Sequence, residues 1–167
     1  MESTEYSPAF GREGNTILFS SARITLITDR LIRLEWSEDG IFENRPTLAA
    51  VNRDCGDVSS QVETEGKETL IRTEKLAIRY RDDGKEFSPE NLSVNFELNG
   101  ETVTWVPGMK NTGNLLGTAR TLDHWDGGYW KKESTRKKMK LDEGFISRSG
   151  WALVYSPSEC RICMPRR

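Results

Sequence analysis

The feature that most restricts the fold of this sequence is a pair of alternating segments on either side of Asn99-Gly100. Residues 94–98 and 101–105 place apolar side chains at every second position, which is typical of a strand with one buried face. Asn-Gly between two such runs favours a type I′ turn, because both turn residues must adopt positive φ. The sequence therefore predicts an antiparallel hairpin over residues 94–105.

Short runs of the same kind occur along the rest of the chain. The other predicted strands are residues 17–19, 22–28, 31–36, 61–64, 68–73 and 76–80. Turns are predicted at residues 29–30, 65–67, 74–75 and 82–85. In the second strand Arg23 and Thr25 fall on the face opposite Ile24 and Leu26. Because no amphipathic helix of about twelve residues or more is present, the predicted fold class is all-β, a single-domain antiparallel β-sandwich.

Two internal stretches interrupt the strand pattern. Residues 37–56 indicate an irregular crossing with a short strand at 48–51, and residues 107–145 are rich in glycine and charge. We accordingly divide the chain into a flexible N-terminus over residues 1–14, the sandwich over 15–156 and an atypical basic tail over 157–167.

Charge and hydropathy exclude several classes of partner. The chain has 167 residues, with 24 Lys and Arg against 26 Asp and Glu, so its formal net charge is −2. This balance does not favour a nucleic-acid binder, which needs a clear basic excess. No apolar run approaches the roughly 18–20 residues that cross a bilayer. The first six residues lack the features of a signal peptide, so we expect a cytoplasmic protein without membrane or nucleic-acid partners.

Cysteine and histidine are too scarce for most catalytic and metal sites. The cysteines are Cys55, Cys160 and Cys163, and His124 is the single histidine. The CxxC spacing at residues 160–163 has no second pair of ligands, which a zinc site would need. P-loop, GxGxxG and GxSxG motifs are also missing from the sequence. We therefore expect no metal, no cofactor and no catalytic residue.

Two motifs in the second half of the chain carry a family resemblance. Residues 114–123 read Asn-Leu-Leu-Gly-Thr-Ala-Arg-Thr-Leu-Asp, and residues 142–151 read Asp-Glu-Gly-Phe-Ile-Ser-Arg-Ser-Gly-Trp. Together they resemble the N-terminal domain of family 31 glycoside hydrolases, the α-glucosidase and α-xylosidase family. Residues 32–36, 42–47 and 51–53 resemble earlier parts of that domain, and the likeness extends from about Ser21 to about Ser156.

The resemblance implies a galactose-mutarotase-like β-sandwich that packs on a catalytic (β/α)₈ barrel. In that family two aspartates of the barrel perform the retaining chemistry, in line with the two-carboxylate rule for glycosidases. A barrel alone takes at least about 200 residues, so this chain resembles a non-catalytic piece of an α-glycosidase. We expect its partners to be the barrel and, within the whole enzyme, an α-glucoside-type carbohydrate. Without the barrel, an exposed apolar face would favour self-association.

The end of the chain departs from the family pattern. After Val154 the family usually has Asp-Asp-Ser, whereas this chain has Tyr155-Ser156, followed by three Arg and two Cys within residues 160–167. This end is either artificial or the product of a truncated gene or a shifted reading frame. Alternatively, it is a native basic tail.

Candidate sugar-binding residues lie between the two motifs. The set combines aromatic platforms for the C–H face of a sugar with planar hydrogen-bonding groups for its hydroxyls. Its members are Arg120, Asp123, Trp125, Asp126 and Trp130. Alternatively, the aromatic rings pack this loop against the sandwich and the acids pair with nearby Lys or Arg. Nothing in the sequence raises the pKa of Asp123 or Asp126, so the pair is not predicted to be catalytic.

Several neighbouring residues have structural interpretations of their own. Arg120 and Arg148 are predicted to form ion pairs that join the two motifs, and Trp151 is predicted to be a core residue. The Lys- and Arg-rich residues 131–140 form either a solvated loop or a site for an anionic partner. Two rival functions remain open: a stand-alone carbohydrate-binding or interaction module, and a basic-loop binder whose affinity falls steeply with salt.

Overall fold

The computed structural model describes residues 13–44, 52–116 and 143–154. Within these ranges a 3₁₀ turn at Glu13–Asn15 precedes eight β-strands. The strands are β1 Thr16–Leu18, β2 Ala22–Leu26, β3 Ile32–Trp36, β4 Gln61–Glu65, β5 Glu68–Arg72, β6 Leu76–Arg81, β7 Leu92–Leu98 and β8 Glu101–Trp105. The chain divides into two compact units, one of residues 1–109 with 155–167 and one of residues 110–154.

The strands form two antiparallel sheets. The small sheet has the order β1-β2-β3 and the large sheet the order β4-β5-β6-β7-β8, so each strand pairs with its neighbour in the chain. The predicted all-β class with antiparallel pairing is thereby confirmed. Among the described residues, no helix is long and apolar enough to cross a membrane.

The large sheet is apolar on one face and polar on the other, as the sequence alternation predicts. Strand pairing places Ile71, Ile78 and Val94 side by side on the buried face, with Trp105 opposite Val94 on β8. The other face carries Arg79 of β6 and charged or polar side chains of the neighbouring strands. This face is mostly solvated, so the large sheet builds its core on one side.

The small sheet is covered on both faces at its central strand. All five residues of β2 are buried. Ala22, Ile24 and Leu26 supply the apolar face, whereas Arg23 and Thr25 are buried on the opposite face. Burial of a charged side chain is tolerated when the charge is paired, and the ion pairs that meet this need are described below.

The predicted hairpin and most strand positions are confirmed. Leu98 pairs with Glu101 across a two-residue turn, in which Asn99 has φ 54° and Gly100 has φ 83°. The strand predicted for residues 22–28 ends earlier, at Leu26, because the amides of Ile27 and Thr28 both donate to the Leu31 carbonyl. The short strand predicted at 48–51 lies outside the described residues.

Side chains connect the two sheets at two places. The Phe19 ring meets the Tyr80 ring edge-on with centroids 4.7 Å apart, and the Ser20 hydroxyl donates to the Asp82 carboxylate at 2.9 Å. Farther along, the Thr73 hydroxyl donates to the Asp29 carbonyl at 2.7 Å. The strand connections 19–20 and 28–31 are thus fixed to the large sheet by specific contacts.

Candidate functional site

The two motif segments meet in the second compact unit. Residues 110–116 and 143–154 are its described parts, and Asn114 forms an isolated antiparallel bridge with Ser147. The Leu115 amide donates to the Ile146 carbonyl and the Arg148 amide to the Gly113 carbonyl, both at 2.9 Å. We call residues 111–116 and 143–151 the motif junction.

The Asn114 side chain closes this junction. Its Nδ2 donates to the Gly144 carbonyl, and its Oδ1 accepts the Gly144 amide, both at 2.9 Å. The same Oδ1 accepts the Leu116 amide at 2.8 Å. An asparagine provides both a donor and an acceptor, so one side chain satisfies main-chain groups on two segments. This explains why the first residue of the first motif is an asparagine.

A second asparagine, which the sequence reading did not single out, holds the other end of the junction. Asn111 is buried, and its Nδ2 donates to the Trp151 carbonyl at 2.8 Å. Its Oδ1 accepts the Ser147 hydroxyl, and the Ser149 hydroxyl accepts the Gly113 amide at 3.1 Å. The polar residues of the second motif therefore bind the segment that contains the first. No local sequence signal marked Asn111, because its partners lie about forty positions along the chain.

Two glycines permit the close approach of the segments. A Cβ on Gly113 would lie 2.5 Å from the Ser149 Oγ and 2.6 Å from its amide nitrogen. A Cβ on Gly144 would lie 2.9 Å from the Leu116 carbonyl oxygen. Backbone atoms cannot move away easily, so any larger residue at Gly144 would push the two segments apart. Leu116 itself has φ 59°, a left-handed conformation that is unfavourable for leucine.

Apolar side chains around the junction are exposed. The exposed members are Leu115, Leu116, Phe145, Ile146, Leu153 and Val154. Phe145 is 74% exposed and Ile146 68% exposed, although both lie in the second motif. Clustered exposed apolar groups mark surfaces that meet a partner.

The predicted sugar-binding residues lie outside the described residues. This applies to Arg120, Asp123, Trp125, Asp126 and Trp130, and also to His124, to the basic residues 131–140 and to Cys160 and Cys163. The roles proposed for these residues from the sequence therefore remain predictions. Of the residues predicted to join the motifs, Arg148 is exposed and contributes its main-chain amide, as described above. Trp151 is half-buried and lies outside the strands.

The sequence reading also missed a buried ionic network on the small sheet. Arg23 donates to both carboxylate oxygens of Glu35, from Nε at 2.7 Å and from Nη2 at 2.9 Å. Arg33 donates to the same carboxylate at 2.9 Å. The third nitrogen of the Arg23 guanidinium, Nη1, donates to the Asn44 side chain at 2.6 Å. The guanidinium also lies 5.0 Å from the Phe42 ring centroid. We call Arg23, Arg33, Glu35 and Arg53 the arginine network.

Burial and like charge perturb the titration of this network. Arg53, 1% exposed, donates to the Glu43 carbonyl at 3.1 Å. Burial, together with the positive charge of Arg33, lowers the pKa of Arg53 to about 10. Burial tends to raise the pKa of Glu35, but the hydrogen bonds from Arg23 and Arg33 outweigh it and leave that pKa below its ordinary value. Glu35 and Arg53 therefore stay charged at neutral pH, and the network has a structural role.

Neither the motif junction nor the arginine network has the features of a metal centre. Among the residues that the structure describes, no group of three or more His, Cys, Asp or Glu is placed to hold a metal ion. Cys55 is free and exposed. What the described geometry offers is a tightly bonded junction beside exposed apolar side chains.

No family model matches the chain, and no curated protein matches it either.

Proposed function

We propose that this chain is the non-catalytic N-terminal domain of a family 31 α-glycosidase, with a galactose-mutarotase-like β-sandwich fold. In this role it packs on a separate catalytic barrel and borders the sugar-binding cleft of that barrel. The observation that carries the proposal is the motif junction: the two sequence motifs on which the resemblance depends bind each other through Asn114, Ser147 and Gly144.

The architecture of the first compact unit is compatible with this role. Its two antiparallel sheets are what a sandwich requires. The bonds between Ser20 and Asp82 and between Thr73 and Asp29 join the small sheet to the large one. A domain of this kind provides a rigid support, while the bond-breaking carboxylates belong to another domain.

Exposed apolar side chains support the proposed contact with a barrel. Phe145 and Ile146 lie in the second motif, are 74% and 68% exposed, and adjoin the bonded backbone of Leu115. Burying about 100 Å² of such apolar surface contributes roughly 2.5 kcal/mol before the entropy of association is subtracted. A partner that covers these residues would therefore gain affinity from them.

A complementation experiment tests the proposal. The chain is mixed with the barrel of a family 31 α-glucosidase from which its own N-terminal domain has been deleted. We expect the chain alone to leave a chromogenic α-glucoside intact, and the mixture to form a complex and hydrolyse it. Phe145→Lys should abolish the complex, whereas Ile41→Lys, at an apolar residue equally exposed in the other unit, should not.

Two results would contradict the proposal. One is hydrolysis by the chain alone that is lost in Asp123→Asn, since the chemistry would then lie in this polypeptide. The other is the lack of any complex with the truncated enzyme by analytical ultracentrifugation, with the chain folded.

A further inference from the structure

A cleft of about 580 Å³ opens at one edge of the first compact unit. It lies between the edge strand β1 of the small sheet and the β4–β5 side of the large sheet. The residues that line it are Ile17, Leu18, Phe19, Ser20, Thr64, Gly66, Lys67, Thr69, Asp82, Asp83 and Gly84. Its volume falls within the roughly 300–1,000 Å³ of small-molecule sites.

One wall of the cleft is rich in hydroxyl and carboxylate groups. Thr64 and Thr69 are cross-strand partners whose hydroxyls are hydrogen-bonded at 3.1 Å. The Asp82 carboxylate accepts the Ser20 hydroxyl at 2.9 Å and the Ser20 amide at 3.3 Å. Asp82 therefore already binds a hydroxyl in the way that it would bind the hydroxyl of a ligand.

The opposite wall is apolar. It is formed by Ile17, which shares the inner face of the small sheet with its cross-strand partner Ile24, and by Phe19. Leu18 is the partner of Arg23 and lies on the outer face. Phe19 is supported from behind by the edge-on Tyr80 ring. A flat apolar strip facing a row of hydroxyls suits a ligand that is apolar on one side and polar on the other.

The charges in the cleft favour a neutral ligand. Lys67 opposes a cationic amine, and Asp82 with Asp83 oppose a phosphate or carboxylate. Asp83 is further engaged by the Asn91 amide at 3.1 Å and by Arg81 at 3.9 Å. The remaining groups, one ammonium, one carboxylate and several hydroxyls, supply both donors and acceptors for uncharged hydroxyl groups.

Tyr80 provides a second observation beside the cleft. It does not line the cleft, but it is the cross-strand partner of the lining residue Thr69 and its ring contacts the lining residue Phe19. It is fully buried, and its hydroxyl has no hydrogen-bond partner among the described residues. Burial, with the charges of Asp82 and Asp83, raises the pKa of Tyr80 to about 12. A buried hydroxyl without a partner is unfavourable, so an unsatisfied polar group lies directly next to the residues that line the cleft.

We infer that this cleft binds a neutral sugar, with its C–H face on Ile17 and Phe19 and its hydroxyls on Asp82, Lys67 and the threonines. The site belongs to the first compact unit and is distinct from the candidate residues between the two motifs. The inference does not depend on the proposed function, because it requires neither a barrel nor the motif junction.

Titration of the ¹⁵N-labelled chain with maltose and with methyl α-D-glucopyranoside tests the inference by NMR. We expect saturable shifts at the amides of Ser20, Lys67 and Gly84. Asp82→Asn should weaken binding about tenfold, the range for a lost hydrogen bond to a charged group. Asp39→Asn is the matched control, because Asp39 also accepts a serine hydroxyl and a main-chain amide but lies outside the cleft.

Lys67→Met provides a second variant, because Lys67 lines the cleft and is exposed. It should fold and bind sugar severalfold more weakly, so it carries the test if Asp82→Asn does not fold. The inference is overturned if neither sugar gives saturable shifts, or if Asp82→Asn folds and binds as the parent does. It is equally overturned if ethylammonium or inorganic phosphate saturates the cleft and the sugars do not.

Discussion

The two sheets are built alike on their inner faces and differently on their outer faces. Ile24 of the small sheet and Ile78 of the large sheet are both completely buried. On the outer faces, Arg23 of β2 is 3% exposed and bonded to Glu35, whereas Arg72 of β5 pairs with Glu63 in the solvent. The difference arises from residues 42–44 and 53, which contact the outer face of the small sheet. Ion pairs on strands with the same sequence alternation can therefore differ widely in their contribution to the free energy of unfolding.

The largest expected effect is at Glu35. Glu35→Gln removes the charge that Arg23 and Arg33 share, and an uncompensated buried charge destabilises by about 3–5 kcal/mol. Glu63→Gln is the matched change on the large sheet, where the ion pair is exposed, and should lower the free energy of unfolding by less than about 1 kcal/mol. Urea denaturation of the three proteins at neutral pH measures both values. Equal losses would show that the outer faces do not differ.

The effect of acid on the free energy of unfolding should also depend on Glu35. The folded-state pKa of Glu35 lies below its ordinary value of 4.5, so its contribution to stability is complete above pH 4.5 and is lost as the pH falls through the folded-state value. Glu35→Gln should therefore show a weaker fall in the free energy of unfolding below pH 4.5 than the parent chain. Identical slopes for the parent and Glu35→Gln would mean that another carboxylate controls acid unfolding.

The smallest effect is expected at the two-residue turn between β7 and β8. Gly100 has φ 83° and open space around the position of a Cβ, so Gly100→Ala should destabilise only through backbone strain, by about 1 kcal/mol. Gly14→Ala, also with open space but without positive φ, is the control and should be nearly neutral. Thermal unfolding followed by circular dichroism compares them. A loss at Gly100 as large as that at Glu35 would indicate that the hairpin, not the arginine network, limits stability.

Local signals predicted the fold well. Asn99-Gly100 specified its own turn, and alternation specified the strands because the side-chain period of a strand is two. The early end of β2 was missed because it depends on Thr28, whose hydroxyl accepts the amides of Arg30 and Leu31. Threonine is common both in strands and in turns of this kind, so the pattern alone did not decide between them.

The arginine network was harder to predict for a different reason. The turn predicted at residues 29–30 would place Thr28 opposite Leu31 and therefore Arg23 opposite Trp36. The observed connection, residues 27–31, is centred on Asp29 and places Arg23 opposite Glu35 instead. The predicted cross-strand pairing was therefore wrong by one position. Burial of the network was also missed, because it requires Asn44 and Arg53 to fold over that face, and such irregular segments carry no periodic signal.

For the candidate site, the sequence identified the two motifs but not the hydrogen bonds that join them. The residues quoted for the resemblance include Asn114, Gly144 and Ser147, yet nothing in their spacing indicated that they bind one another across thirty positions. Asn111 and Gly113 precede the first motif and were overlooked. Polar side chains that bond to distant backbone leave no periodicity, so only the structure identifies their partners.

The closed base of the motif junction has a consequence for how this chain tolerates insertions. Asn114 and Gly144 remain bonded, and Leu116 stays beside Gly144, however many residues separate them. Loop-closure entropy grows only logarithmically, so doubling the intervening length adds about 0.6 kcal/mol. The bonds of the junction can therefore be kept at a small entropic cost when the connection that follows Leu116 changes in length.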